Sequence, residues 1–369
     1  LVAAYQGEVE EARGYWESAI SLLEERDEEE LLGATYTSLS LVTPLAADHE
    51  ALARRAHDIC LERGANAQLA VCLANEAGEA YYTYGDSATA VARLEEAIRL
   101  EEGDGGRDDY LERFYHRQAY ELVNLGELVR AEARLSQAYH LMEERNTRSY
   151  PGQGITPPIE LAEAHLFDAR GQPEAAARAA ARAPTDRLCR EVLCRLALEA
   201  GDTALAEQHL AVLHTLRGYG FVVRARLHER ATEQLLTAEL ARAASEAAAA
   251  KGDEAAAVRQ RAVALEGLGS ALDDALTYTF MPLALEVFTA ARALHPDLCP
   301  LPALELAARH AASRYYVRRR AYAMLPTDRH PAAEALVAGW LEVPPTKIVP
   351  LVTMLAQDVR AKLLATMQV

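Results

Sequence analysis

Residues 119–138 read AYELVNLGELVRAEARLSQA, two apolar stripes separated by a glycine. Ala119 and Leu122 stand seven and four positions before Gly126; Ala131, Leu135 and Ala138 stand five, nine and twelve after it. Steps of three and four keep each set on one side of a helix. Glycine ends the first helix by taking the left-handed conformation that other residues avoid. The stretch therefore predicts two antiparallel helices turning at Gly126, with alanines where the backbones approach and leucines filling the gap to the next pair.

The same spacing recurs along the chain. It is found at Gly7-Ala12-Trp16-Ala19 and Gly85-Ala90-Leu94-Ala97, and in weaker form at Gly171-Ala176-Ala180, Gly201-Ala206-Leu210-Leu213 and Gly252-Ala257 with Ala264. The half-pattern before the turn is repeated by Gly78 with Tyr81, Ala164 with Phe167, and Cys194. A hairpin of this kind leaves one face bare, and stacking neighbours covers it. Composition agrees: Ala, Leu, Glu and Arg dominate while strand formers are scarce, and no alternating segment reads as a strand. The fold class is all-α.

These offsets resemble the tetratricopeptide repeat, a helix–turn–helix unit with small and bulky residues at such positions. The resemblance spans about residues 1 to 270, with the steps between turn glycines (41, 45, 30 and 51 residues) scattering around the family's unit. It implies a right-handed superhelical solenoid of antiparallel hairpins. Gly33 and Tyr36 fit a first helix, but Pro44 stands where a turn glycine is expected. The organisation reads as acidic hairpins over 1–145, a Pro/Gly loop over 146–157, degenerate hairpins over 158–280 and a helical section over 281–369, where nine prolines return. Residues 102–110 (EGDGGRDDY) read as a connector, without the ligand spacing of a calcium loop. No breaker interrupts 222–250, which predicts one long helix. The chain begins in mid-repeat, which predicts a piece of a larger multidomain protein.

Charge and motifs exclude several functions. The formal net charge of −17 opposes nucleic-acid binding through a general basic surface. No uncharged apolar run of about 18 residues predicts a membrane span. Five scattered cysteines give no disulfide framework, which points to a reduced, cytoplasmic chain. There is no phosphate-binding G-x-x-x-x-G-K-[ST]; Gly218 and Gly220 follow no strand. His209 and His214, like Cys189 and Cys194, lie five apart and so face different sides of a helix. No nucleophile, cofactor or metal set is signalled, and an enzyme is not expected.

The resemblance implies that the first helix of each hairpin lines a concave groove and contacts ligand through its non-core positions. Those positions hold Asn75, Glu79 and Tyr82, then Arg113, His116, Tyr120 and Asn124, then His165 with Asp168, and Glu191 with Arg195. Aromatic, Asn and Arg side chains in a groove suit a protein or peptide partner, or a small polar effector. The Lys and paired Asn of chaperone-binding relatives are not reproduced. Residues 1–110 carry 24 acidic against 8 basic side chains, whereas Arg318, Arg319 and Arg320 form the one run of three consecutive basic residues. These opposite charges predict weak, salt-sensitive association between copies or ends of the chain. The expectation is a non-catalytic scaffold similar to the sensor portions of large bacterial regulators. A repeat array serving a fused or partner enzyme, and a purely structural assembly module, remain the alternatives.

Overall fold

The computed structural model describes residues 8–26, 28–103, 108–144, 158–216, 222–326 and 331–367. The described residues contain eighteen α-helices and no strand. Gly7, the loop 146–157, residues 104–107 of the 102–110 connector, and Gly218 and Gly220 lie outside them. No described helix is long and apolar enough to cross a membrane. All five cysteines are buried and free.

Two compact units emerge. The described part of the first comprises residues 8–81, 87–170 and 222–227; that of the second comprises 82–86, 171–216 and 228–367. The first unit holds α1 (Val9–Glu25), α2 (Glu29–Leu41), α3 (Ala46–Arg63), α4 (Asn66–Glu79), α5 (Ser87–Gly103), α6 (Asp108–Leu125), α7 (Leu128–Glu144) and α8 (Ile159–Ala169). Each helix packs on the next in sequence, and α6 also packs on α8. The first core cluster joins Ala12, Ile20, Leu32, Leu39, Val42 and Ile59, with Val222 and Val223 against it.

The second unit holds α9 (Pro173–Ala181), α10 (Arg187–Glu199), α11 (Thr203–Leu213), most of α12 (Val223–Ala250) and α13 (Glu254–Thr277). Then follow α14 (Met281–Leu294), α15 (Leu301–Arg309), α16 (Tyr315–Ala323), α17 (Pro331–Ala338) and α18 (Val349–Met367). The unbroken 222–250 stretch is thus a single helix. Eleven successive residues of α14, Met281 to Ala291, are buried, because α13, α15, α16 and α18 all pack on it. A helix apolar on every side must lie in a core.

The turns explain the register. Gly85, Gly126, Gly171, Gly201 and Gly252 all have φ between 69° and 80°. After Gly201 and Gly252, Asp202 and Asp253 accept the backbone N–H of Leu205 and Ala256 at 3.0 and 2.9 Å, capping the following helix. At Gly85 the demand is double: a Cβ there would also lie 2.2 Å from the Ala312 carbonyl oxygen. Five residues after each glycine, Ala90, Ala131, Ala176, Ala206 and Ala257 are buried, as are Leu94 and Leu135. Trp16 instead is half-buried, and it lines an open cleft of about 430 Å³ between α1 and α2. Where Pro44 replaces the turn glycine, α2 simply ends at Leu41 and α3 starts at Ala46 with Leu45 extended.

Ala131 is fully sealed between α6 and α7. Ala131→Leu should lower stability by about 1–3 kcal/mol through overpacking, read as a lower urea midpoint; an unchanged midpoint would contradict this register.

Candidate functional site

The polar residues on the first helices of the hairpins are largely buried, and close helix approach is the reason. Water excluded from an alanine-lined crossing cannot solvate a neighbouring side chain, so its polar atoms must pair within the protein.

In the first unit, Glu79 closes α4 with only 10% of its side chain exposed. Its Oε2 accepts from Arg224 Nε at 3.0 Å and lies 3.6 Å from His49 Nε2. Arg224, buried on the first turn of α12, also donates to the Pro44 carbonyl at 2.7 Å. Asn75 is half-buried one turn earlier. On α6, Tyr120 hydrogen-bonds Tyr81 through the two hydroxyls and meets the His165 ring edge-on at 4.8 Å. Asn124 donates to the Tyr120 carbonyl at 3.5 Å, and Asp168 is buried on α8. Arg113 is half-buried beside His116. His116 is buried 3.6 Å from Glu112 Oε1, and burial, reinforced by Arg113 and Arg117, pushes its imidazolium down to about 3. It is therefore a neutral histidine at ordinary pH.

In the second unit, Tyr82 meets the His228 ring edge-on at 5.3 Å. Arg314 Nη2 donates to His228 Nε2 at 2.8 Å. Arginine has no acceptor, so this nitrogen of His228 carries no proton. Arg314 Nη1 donates to the Tyr316 hydroxyl at 3.0 Å, and that hydroxyl donates to Glu286 Oε2 at 2.8 Å. Arg195 lies over the Tyr316 ring, its guanidinium carbon 3.8 Å from the centroid. Glu191, one turn before Arg195, is 3.8 Å from Arg187 Nε. Burial outweighs that cation and, with Glu229 adding repulsion, raises the Glu191 carboxyl to about 8. Arg187 itself is held by Glu233, by Glu229 at 3.6 Å and by the Leu213 carbonyl at 3.1 Å.

The basic run on α16 is drawn into the same unit. Arg318 donates to the Ser313 carbonyl at 2.5 Å, Arg319 pairs with Glu199 at 3.0 Å, and Arg320 pairs with Glu239. Of the implied groove residues, the structure groups Tyr120, Asn124 and His165 in one cluster and Glu191 and Arg195 in another. Their partners Arg224, His49, His228, Glu286, Arg314 and Tyr316 carry no repeat signature, and no short-range spacing marks them. Among the described residues no group of three or more His, Cys, Asp or Glu side chains could hold a metal. The chain matches no protein-family model and no curated protein sequence.

Glu191 supplies a pH test. Its carboxyl titrates near 8 in the folded chain and near about 4.3 when unfolded. The folded state therefore binds the extra proton between those values, and stability from this group is lost as pH rises through that window. Glu191→Gln should remove that loss, so its urea midpoint should gain on the parent steadily from pH 5 to 8. Parallel profiles would show that Glu191 is ionised in the folded protein.

Proposed function

We propose that the chain is a non-catalytic, tetratricopeptide-like scaffold whose inner helix faces bind a protein, a peptide or a small effector. One observation carries the reading: five left-handed glycines, each followed five residues later by a buried alanine, repeat one hairpin register along the chain. Repetition of a supersecondary unit with helices packing on their sequence neighbours is what a stacked array requires. On this reading the hairpins form a right-handed solenoid, and its inner positions carry the polar side chains from Asn75 to Arg195.

Inner-face recognition is favoured by the chemistry of those positions. Tyr82, Arg113 and Tyr120 are half-buried rather than sealed, with aromatic and cationic surface that suits a partner's carboxylates and apolar groups. Their rigid support, through ring contacts such as Tyr81–Tyr120 at 5.2 Å, lowers the ordering cost of binding. Regulation in a larger assembly follows naturally from such a module, since it binds without altering its ligand.

The test is affinity capture from the native lysate with the parent and with Arg113→Glu, followed by measurement of the captured partner's Kd. A single enriched partner whose Kd weakens at least tenfold in the variant, with the helical circular-dichroism signal unchanged, is the expected outcome. Self-association of the parent with no captured partner would favour a structural assembly module instead.

A further inference from the structure

Four arginines are buried among the described residues: Arg187, Arg195, Arg224 and Arg314. Three have acceptors. Arg187 has Glu233, Glu229 and the Leu213 carbonyl; Arg224 has Glu79 and the Pro44 carbonyl; Arg314 has His228, the Tyr316 hydroxyl and, at 3.8 Å, Glu286. Arg195 has none. It is 7% exposed, it donates no hydrogen bond, no carboxylate lies within 4.0 Å, and its Nε is sealed without an acceptor.

What Arg195 does have is a platform. A carbon 3.8 Å from the Tyr316 centroid can only lie over the ring face, so the planar guanidinium is stacked there. The Tyr316 hydroxyl gives its proton to Glu286, which enriches the ring and strengthens its hold on a cation. Stacking fixes the plane of the fork but satisfies none of its N–H groups. Glu191, one turn away, is raised to about 8 by burial, so the carboxylate whose field favours the guanidinium is Glu286, which holds it charged without accepting a hydrogen bond from it. The charge of Arg195 is favoured by Glu286, but a sealed Nε–H and a stacked fork without an acceptor are costly unless a ligand supplies one.

We propose that Arg195, stacked on Tyr316, is the anchor of a binding site for a small oxyanion, a carboxylate or phosphate group offering two coplanar oxygens to the guanidinium fork. This rests on the scaffold reading and names the effector class for its inner face. The fork matches such a group bidentately, whereas lysine would present a point charge.

The experiment measures thermal stability and titration calorimetry of the full chain with sodium phosphate and with sodium acetate, against sodium chloride at equal ionic strength. Parent protein is expected to show saturable stabilisation by one or both oxyanions and none by chloride. Phosphate alone identifies a phosphate group, and acetate alone a carboxylate. Arg195→Lys should weaken the affinity at least tenfold. Arg195→Met should abolish it while melting in chloride at or above the parent temperature, because it removes buried donors that have no acceptor. No saturable oxyanion effect, equal affinity in the variants, or a marked loss of stability for Arg195→Met in chloride would overturn the proposal and leave Arg195 a stacking residue. A captured protein partner in the face of such a result would keep the scaffold reading while removing this ligand.

Discussion

A charged side chain taken out of water must find an opposite charge or complementary hydrogen-bonding groups, and both units are arranged around that requirement. Alanine crossings bring the helices close enough to expel solvent, so the charged residues beside them pair inside the protein. Glu79 with Arg224 and Arg187 with Glu229 and Glu233 are the main instances. Such pairs add little over a well-packed apolar core, yet losing one partner is strongly destabilising because the other stays buried and uncompensated. They therefore act as constraints on which segments meet. Arg224 fixes the start of α12 against Glu79, 145 residues earlier in the chain.

The pairing also sets which of these side chains remain accessible. Glu79, His165 and Asp168 are enclosed by the protein's own side chains, whereas Tyr82, Arg113 and Tyr120 are half-buried. The two titrations of extreme character follow from the same enclosure. His116 stays neutral because a second cation beside Arg113 and Arg117 has no water to disperse it, and Glu191 stays protonated because burial outweighs Arg187.

Local features were legible in the amino-acid sequence because their causes are local. The turn at Gly126, the burial of Ala131 and Leu135, and the uninterrupted helix Val223–Ala250 follow from backbone conformation and helical period alone. Membership of the first helices placed Tyr120 and His165 as candidates, and they do meet. The partners could not be read in this way. Nothing near Glu79 announces Arg224, and nothing near Arg195 announces Tyr316, since these contacts depend on tertiary packing across long stretches of chain. Trp16 shows the same limit: its repeat position is ordinary, but the cleft between α1 and α2 leaves it half covered.

The central claim, that charged side chains such as Glu79 and Arg224 pair with each other out of water, is tested most directly by a double-mutant cycle on the two. Unfolding free energies of Glu79→Gln, Arg224→Met and the double variant give the coupling between the two side chains. The account predicts a favourable coupling of about 1.5–3 kcal/mol, the range for a hydrogen bond to a charged group in a water-poor site. Additivity within about 0.5 kcal/mol would contradict it, placing both side chains in solvent.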